Sequence, residues 1–368
     1  MRFSIITVCL NSEKTIEKTI QSVIEQEYSD CEYIIIDGGS KDRTLDIIEK
    51  YKKDIAIIIS EPDNGIYDAM NKGIALASGE VIGIINSDDW YELYVFEKVK
   101  KCFQISDAEI IYGCLRTISD ENISKILVPE NIEKLRYEMA IPHPTIFVKK
   151  DIYRKYGMFC LEYMIAADYE LILRFYTKGV KFYGSNDIFA NFRTGGISVQ
   201  KGKKCIEETL TISRKYLSSV SGSERKNLKN IILQKWKGLY FLDLLNEYSY
   251  MLIKILIHKF GLHFQDKVVI FGAGNWGLKT SQALRQNGIH TLFFVDNDKE
   301  KWGKIESGVH VFSPEILYSF KGVLLLTVEK FSMEILSQIE RIGNREILYI
   351  TWEEIVRQYR NWKRGLRK

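Results

Sequence analysis

Two adjacent carboxylates, Asp88 and Asp89, end the segment Asn86–Asp89, which directly follows a short apolar run, Val81–Ile85. Neighbouring like charges usually need a cation or a basic group to offset their repulsion. Mg²⁺ or Mn²⁺ would suit this pair, because such ions can bind few protein ligands and fill their remaining positions with phosphate oxygens. The alternative is that one of the two residues caps the helical pattern over Tyr91–Phe103. The pair by itself does not decide between a metal site and a helix cap.

A glycine pattern near residue 270 could hold a phosphate group. Gly272, Gly274 and Gly277 open a helical pattern. They follow the apolar run Val268–Phe271, and Asp296 ends the next apolar run. Glycines at this spacing let the backbone approach a pyrophosphate, and the acid can bind a ribose hydroxyl. A second nucleotide site, with NAD as candidate cofactor, stays open beside the alternative that the glycines serve only helix–strand packing. No hydride-transfer motif follows the pattern.

The elements that would position these groups alternate between strand and helix. The predicted strands and helices of the first hundred residues are Phe3–Val8, Ser12–Gln26, Tyr33–Ile36, a helix through Leu45 and Ile48, Ile55–Ile59, Ala69–Ala77 and Val81–Ile85. This order predicts a mainly parallel sheet with helices on both faces. Ligands of such sheets bind beyond the carboxyl ends of the strands. The polar segments at those ends are Asn11-Ser12, Asp37–Asp42, Glu61–Asp68 and Asn86–Asp89.

The length of 368 residues predicts at least two domains. Residues 201–262 show no strand pattern and contain twelve Lys/Arg against five Asp/Glu, which indicates a basic helical segment. A new β–α unit begins at Lys267. We therefore predict an α/β domain over 1–205, a helical connector over 206–264 and a second, Rossmann-like α/β domain over 265–368.

Composition limits the class of protein and its location. Hydrophobic content of 46% and charged content of 27% are typical of a globular chain. A net charge of +4 is too balanced for a protein that coats nucleic acid, so we expect no nucleic-acid partner. Six scattered cysteines indicate free thiols, and no apolar stretch approaches the roughly 20 residues of a membrane-spanning helix. The N-terminal sequence lacks a signal-peptide pattern, and we expect a cytoplasmic protein.

The first 200 residues carry a series of short motifs in a fixed order. They are Ser4–Thr7 with Asn11, Gln21–Val23, Tyr33–Thr44, Asp63–Gly65, Ala69–Gly73, Ala77–Glu80, Asn86–Asp89, His143, Ala167–Glu170 with Leu173-Arg174, and Gly195–Ser198. In order and spacing this series resembles family 2 glycosyltransferases of the GT-A fold. The resemblance implies a Rossmann-like nucleotide-sugar-binding domain.

The resemblance also implies catalytic roles for three carboxylates. Asp89 matches the expected metal ligand, and Asp88 matches a residue that faces the metal and the donor sugar or ribose. Asp168 matches the catalytic base, although an isolated Asp here would also suit a helix cap. A base is needed because the acceptor hydroxyl loses its proton while attacking the anomeric carbon opposite the leaving diphosphate. This single displacement inverts the anomeric configuration.

Further donor contacts follow from the same resemblance. The implied donor-binding residues are Thr7, Asn11, Asp37, Gly38, Asp63, Lys72, Asp88, His143 and Arg193. Three positions depart from the common pattern: Asn86 replaces a third Asp, Gly38 replaces an Asp of the nucleobase-facing turn, and Met70 replaces an Arg.

The implied function is inverting, metal-dependent transfer of a sugar from a nucleotide sugar, with UDP as the expected nucleotide. The implied acceptor is a saccharide or lipid-linked saccharide of bacterial surface-polysaccharide synthesis, and Mn²⁺ or Mg²⁺ is the implied cofactor. Two alternatives stay open: a non-catalytic nucleotide-sugar-binding scaffold, and a NAD-dependent sugar-modifying oxidoreductase. A homo-oligomer is compatible with the sequence.

The C-terminal half adds two features. Residues 265–350 resemble small Rossmann-like modules attached to bacterial sugar-modifying enzymes, with Asp296–Asp298, Gly303, Gly308-Val309 and Ser313-Pro314 as the matching positions. Two segments, Tyr248–Leu262 and Arg357–Lys368, combine cations with apolar or aromatic residues. Such segments favour peripheral contact with the inner face of the cytoplasmic membrane, and the alternative is ordinary core packing.

Overall fold

The fold is built on two separate β-sheets, which the computed structural model describes over residues 1–118, 124–194, 202–263, 266–328 and 332–365. The chain divides into two units, Met1–Ile232 and Leu233–Lys368. The helical stretch predicted as a connector over 206–264 is divided between these two units.

A mixed sheet of nine strands, counted over the described residues, forms the centre of the first unit. The strands are β1 (Phe3–Cys9), β2 (Cys31–Asp37), β3 (Ile57–Ser60), β4 (Val81–Asn86), β5 (Trp90–Tyr91), β6 (Ile110–Ile118), β7 (Ser124–Leu127), β8 (Phe147–Lys149) and β9 (Phe182–Arg193). Their order is β3-β2-β1-β4-β8-β6-β9-β5, with β7 paired to β6. The predicted parallel arrangement is confirmed for β1 to β4. Beyond them β8 runs antiparallel to both of its neighbours.

Helices cover this sheet. They are α1 (Ile16–Ile24), α2 (Thr44–Lys50), α3 (Ile66–Leu76), α4 (Val95–Ile105), α5 (Lys150–Tyr156), α6 (Ala167–Thr177) and α7 (Gly202–Tyr216). A longer helix, α8 (Gly222–Glu247), begins in the first unit and ends in the second. Short 3₁₀ helices occupy Ile132–Arg136, His143–Thr145 and Leu217–Ser219.

The strand β1 is buried along its whole length, because apolar cores lie on both faces of the sheet. Successive residues of a strand point to opposite faces. Ile6 and Val8 accordingly belong to one core, and Phe3 and Ile5 to the other. Gly73 on α3 lies against Ile6, where a Cβ would overlap that side chain. The glycine therefore lets α3 pack closely on β1.

The register of the parallel strands brings four strand ends to one edge. Cys9 pairs with Asp37, Asp37 pairs with Ser60, and Val8 pairs with Asn86. The polar segments that follow these strands therefore start from the same edge of the sheet, where parallel sheets bind ligands.

The second unit contains a six-stranded sheet in the part of the chain that the structure describes. Its elements are α9 (Ser249–Phe260), β10 (Lys267–Phe271), α10 (Asn275–Gln286), β11 (His290–Val295), β12 (Ile305–Glu306), β13 (Val309–Phe312), β14 (Gly322–Leu326), α11 (Ser332–Ile342), β15 (Ile347–Thr351) and α12 (Trp352–Gly365). The order is β12-β13-β11-β10-β14-β15, and only the β12–β13 pair of this sheet is antiparallel. This is a Rossmann-like arrangement.

Core packing accounts for part of the apolar residues in the two segments considered for a membrane surface, whereas Tyr250 and Ile257 are exposed. Tyr359 on α12 is fully buried and donates a hydrogen bond to Asp243 at 2.7 Å. The buried face of α9 consists of Met251, Leu252, Ile255 and Leu256. No helix among the described residues is long and apolar enough to cross a membrane. All six cysteines are free, as their scattered positions predict.

Candidate active site

The carboxylate of Asp89 is buried and only partly satisfied. Its Oδ1 accepts the backbone N–H of Arg193 at 3.2 Å, while its Oδ2 is buried without a hydrogen-bond partner in the described chain. The amide oxygen of Asn86 is also buried without a partner there. Neither aspartate caps a helix, because α4 begins at Val95 with Tyr94 as its N-cap. The cap interpretation of the Asp88–Asp89 pair is therefore wrong.

Burial makes the negative charge at this turn unfavourable. It raises the pKa of Asp89 well above its ordinary value; the charge of Asp88 adds to this shift, and Arg193 opposes it. Burial also raises the pKa of Asp88, again with Arg193 opposing. A divalent cation would remove this cost and would give the free oxygen of Asp89 a partner. The described residues contain no group of three or more His, Cys, Asp or Glu that could hold a metal.

Two cations flank the aromatic ring that follows the pair. The Arg193 guanidinium carbon lies 5.7 Å from the centre of the Trp90 ring, and the Lys18 ammonium lies 3.3 Å from it. Burial, and then the charge of Arg193, lower the pKa of Lys18. The Nε of Arg193 is buried without a partner among the described residues. The resemblance implies that Arg193 contacts the donor nucleotide sugar. No motif in the sequence points to Lys18, which lies on α1 and is distant in sequence from both Trp90 and Arg193.

Lys72 is already engaged by acidic neighbours. Its ammonium lies 2.8 Å from Glu61 and 3.8 Å from Asp68, and it donates to the carbonyl of Pro62 at 3.2 Å. The ammonium would have to leave these partners before it could contact a phosphate.

Asp37 is a fully buried anchor of the turn after β2. It accepts hydrogen bonds from the Ser40 hydroxyl and from the backbone N–H groups of Gly39 (3.1 Å) and Ser40 (3.0 Å). The Ser60 hydroxyl donates to it at 2.7 Å, and the Cys9 thiol lies 3.6 Å away. Burial acts to raise the pKa of Asp37, but these hydrogen bonds outweigh it and hold the pKa below its ordinary value. Both carboxylate oxygens therefore serve the protein itself.

Asp63 occupies the space beside Gly38. A Cβ at Gly38 would lie only 2.5 Å from the Oδ2 of Asp63. The other oxygen, Oδ1, accepts the backbone N–H of Gly65 at 2.9 Å, and no described residue hydrogen-bonds to Oδ2. Asp63 thus places a half-buried carboxylate where the side chain of residue 38 would project.

Thr7 and Asn11 differ in their accessibility. Thr7 is fully buried, and its hydroxyl shares a 3.0 Å hydrogen bond with Tyr33, so it is not presented to a ligand. Asn11 is exposed with a positive φ of 51°, and its side chain accepts the backbone N–H of Lys41 at 2.8 Å. Asn11 therefore ties the loops after β1 and β2 together.

Asp168 lies in the first turn of α6, beyond the N-cap residue Ala166. Its Oδ1 accepts the backbone N–H of Tyr169 at 2.8 Å and lies 3.3 Å from the Tyr67 hydroxyl. No described residue hydrogen-bonds to its Oδ2. His143 is half-buried nearby: burial lowers its pKa, and the charge of Asp168 opposes this shift. Because Tyr67 stands at the start of α3, Asp168 is connected to the carboxyl edge of the sheet.

Helix α7 holds α6 through three polar contacts that the sequence does not reveal. Glu208 accepts backbone N–H groups just before α6, the Ser213 hydroxyl lies 2.8 Å from that of Tyr169, and the Tyr216 hydroxyl donates to Glu170 at 2.5 Å. Gly195–Ser198, one of the matching motifs, lies outside the described residues.

Packing within the second unit accounts for Gly277 of its glycine turn. A Cβ at Gly277 would overlap the carbonyl oxygen of Gly272, whereas a Cβ at Gly274 would meet nothing within 4 Å. Asp296 accepts the backbone N–H of Ala273 at 2.8 Å and contacts the Lys301 ammonium at 3.2 Å. These contacts agree with the packing interpretation of the motif.

Comparison with known proteins supports one family for the first unit. The model of Glycosyl transferase family 2 matches residues 4–163, and that of the C2185-like N-terminal domain matches residues 264–348. An uncharacterized glycosyltransferase of Mycobacterium tuberculosis is 32% identical, over 46% of this chain and 67% of that protein. The Escherichia coli protein WfaP, a UDP-Glc:α-D-GlcNAc-diphosphoundecaprenol β-1,3-glucosyltransferase, is 27% identical over 56% of this chain and 83% of its own.

Solved structures show the same fold. S. aureus TarS 1–349 in complex with UDP-GlcNAc has a TM-score of 0.53 at 15% identity, covering 78% of this chain and 80% of that one. The chain covers 43% of a longer TarS structure. The mannosyltransferase PcManGT of Pyrobaculum calidifontis, in complex with GDP-Man and Mn²⁺, has a TM-score of 0.50 at 15% identity, covering 68% and 71%. The chain therefore belongs to glycosyltransferase family 2, and it is a glycosyltransferase with a GT-A fold in its first unit.

Proposed function

We propose that this glycosyltransferase transfers a sugar from a UDP-sugar to a saccharide or lipid-linked saccharide, with a divalent cation and with inversion at the anomeric carbon. The observation that carries the proposal is the buried carboxylate of Asp89, which has one oxygen without a described partner. A buried charge without a partner is costly, and a cation bound together with a donor diphosphate would offset that cost.

The residues present fit Mn²⁺ or Mg²⁺. Asp89 would hold the ion through its free oxygen, with Asp88 beside it, and phosphate oxygens would complete the ligand set. When bound, the ion supplies stabilisation of the charge that develops on the leaving diphosphate. Arg193 would add a positive charge to the site, since its charge already acts to lower the pKa of both carboxylates. The Mn²⁺ in the PcManGT complex supports a divalent ion of this kind.

Asp63, together with the turn at Gly38, would recognise the nucleobase. Asp37 is fully buried and its oxygens are used by the protein, whereas Asp63 keeps one carboxylate oxygen without a described hydrogen bond. A carboxylate accepts the ring N–H of uracil, which makes Asp63→Asn a direct test of nucleotide choice. The UDP-GlcNAc bound to TarS and the UDP-glucose named for WfaP support UDP as the donor nucleotide.

Asp168 would act as the general base. Its Oδ1 is held by the helix turn, and its Oδ2 is left to accept the proton of the acceptor hydroxyl. The hydroxyl oxygen bonds to the anomeric carbon as the bond from that carbon to the diphosphate oxygen breaks. The proton passes to Asp168, and the electron pair of the broken bond leaves with the diphosphate.

The chemistry named for one relative favours an acceptor with an apolar part, and two exposed apolar side chains stand in the segment that leads into α6. Leu161 and Met164, in the loop before α6, are 52% and 65% exposed. WfaP acts, by its name, on a sugar attached to diphosphoundecaprenol, which supports a lipid-linked saccharide of surface-polysaccharide synthesis. Such an acceptor would bring the enzyme to the inner face of the cytoplasmic membrane.

A binding screen tests the proposal. Thermal unfolding should be measured with UDP-, GDP- and dTDP-sugars and with NADH, each with and without Mn²⁺, because a ligand that binds the native state raises its stability. We expect stabilisation by a UDP-sugar that depends on Mn²⁺ and is lost on adding EDTA or in Asp89→Ala. Metal-independent binding, a GDP or dTDP preference, or stabilisation by NADH alone would contradict the proposal.

A further inference from the structure

One buried carboxylate holds the backbone that leads into α6. Glu208, on α7, is only 6% exposed. Its Oε2 accepts the N–H groups of Ile165 at 2.9 Å and Ala166 at 3.0 Å, and its Oε1 accepts the N–H of Met164 at 3.2 Å. Three consecutive backbone N–H groups therefore donate to one side chain, and the last of these groups lies two residues before Asp168.

This segment depends on Glu208 because it supplies no acceptor of its own. The N–H groups of Met164, Ile165 and Ala166 lie before the first turn of α6, which begins at Ala167, so they are not used by the hydrogen bonds of that helix. A negative charge near a helix N-terminus also stabilises the helix, because it interacts favourably with the helix dipole. From the opposite side, the Tyr67 hydroxyl donates to the carbonyl of Ile165 at 2.5 Å. Glu208 and Tyr67 together fix both polar groups of the Ile165 backbone.

We propose that Glu208 is a positioning residue that holds Asp168 at the distance from the acceptor hydroxyl that proton transfer requires. The proposal rests on the role of Asp168 as base. Glu208 acts through the 164–166 backbone and does not itself touch the reacting atoms. A displacement of about 1 Å at a reacting group can lower a rate on the order of 100-fold, so loss of Glu208 should affect turnover strongly.

The first unit should stay folded without Glu208, because other contacts hold α7 against α6. Ser213 contacts Tyr169, Tyr216 contacts Glu170, and Ile212 is fully buried in the core of the unit. Glu208→Gln keeps the size of the side chain but replaces one acceptor oxygen by a donor. The neighbouring Glu207→Gln is the matched control, since the Glu207 side chain makes none of these contacts.

The test separates turnover from donor binding in the full chain. UDP affinity is measured by calorimetry with Mn²⁺, and turnover as UDP release from UDP-glucose and UDP-N-acetylglucosamine. For Glu208→Gln we expect kcat to fall about 30- to 100-fold while the Kd for UDP changes less than about twofold. Glu207→Gln should match the wild type. In an Asp168→Asn background, Glu208→Gln should add less than about threefold, because both changes act on the same step.

Each possible result of this experiment supports or contradicts the positioning role of Glu208. Wild-type turnover in Glu208→Gln, a parallel loss of UDP affinity, or a fully additive loss in the Asp168→Asn background would overturn the positioning role. Wild-type turnover in Asp168→Asn alone would instead show that the proposed base is wrong. Amide hydrogen exchange adds a readout without catalysis: residues 164–166 should exchange faster in Glu208→Gln, and unchanged exchange would contradict the proposal. Should Glu208→Gln fail to fold, Glu208→Asp, which keeps both oxygens on a shorter side chain, should show an intermediate kcat loss.

Discussion

Gly38→Ala tests whether Asp63 binds the donor nucleobase. The backbone at Gly38 does not have a positive φ, so alanine can adopt it without strain. The new Cβ would lie 2.5 Å from the Oδ2 of Asp63, and that oxygen must retreat by roughly 1 Å to reach the 3.4 Å at which ordinary contact begins. A carboxylate at the end of a side chain can make this movement at little cost to the fold.

The cost should appear in donor affinity. A hydrogen bond lengthened by about 1 Å from its usual 2.9 Å is no longer a hydrogen bond. One bond to a charged group contributes about 1.5–3 kcal/mol, which corresponds to a loss of about 10- to 100-fold in affinity. We therefore expect the Kd for UDP to rise by this factor, while the melting temperature of Gly38→Ala stays within about 3 °C of the wild type.

Isothermal titration calorimetry with UDP and Mn²⁺ gives the affinity, and a double-mutant cycle with Asp63→Asn identifies the cause. If Gly38→Ala acts by displacing Asp63, the double variant should bind UDP no more weakly than Asp63→Asn alone. Wild-type affinity in Gly38→Ala, or additive losses in the double variant, would refute the role of Asp63.

Four further outcomes follow from the structure. Asp168→Asn should keep its affinity for UDP and lose about 10²- to 10⁴-fold in kcat, the range expected for a general base, and turnover measurements at saturating donor would reveal a wrong assignment. Gly277→Ala should unfold the second unit because its Cβ overlaps the Gly272 carbonyl, whereas Gly274→Ala should melt like the wild type; equal melting curves would contradict the packing role of Gly277. Despite its burial, Asp37 has a lowered pKa, so its ionised form stabilises the first unit above about pH 4 and that contribution is lost as the pH falls through the folded-state pKa. The difference in unfolding free energy between wild type and Asp37→Asn, measured with urea, should therefore shrink from pH 5 to pH 3, and a constant difference would argue against it. Asp243→Ala should destabilise the second unit by about 2–4 kcal/mol, because it leaves the Tyr359 hydroxyl and the Lys363 ammonium without their buried acceptor; unchanged melting would count against this contact.

Local patterns in the sequence were sufficient for the parallel part of the fold. Isoleucine-rich runs followed by amphipathic helices predict β1 to β4, and the polar residues after those runs predict the edge at which Asp37, Asn86 and Asp89 meet. Strands β6, β8 and β9, of which β6 and β9 pair in parallel and β8 runs antiparallel to its neighbours, are absent from that prediction. Their pairing is set by contacts between distant parts of the chain, and β8 is only three residues long.

The site shows the same division between local and distant information. Asp89 and Asp168 were predicted from motifs in short, ordered stretches of sequence, and their roles stay predictions. The hydrogen bonds that use both oxygens of Asp37, and the approach of Asp63 to Gly38, depend on how two loops cross. Glu208 and Lys18 had no motif at all, since their importance comes from partners 40 or more residues away in the sequence.

The bond network of Glu208 also determines where this enzyme can be recombined with its relatives. In a chimera whose junction lies between residues 166 and 208, the three amide donors would come from one parent and their only described acceptor from the other. The helix of the second parent would then need a carboxylate at the position equivalent to Glu208. A crossover placed after Tyr216 keeps donors and acceptor from one parent. A second crossover placed before Met164 would exchange residues 164–216 as one block and would leave the donor turn at Gly38 in the host chain.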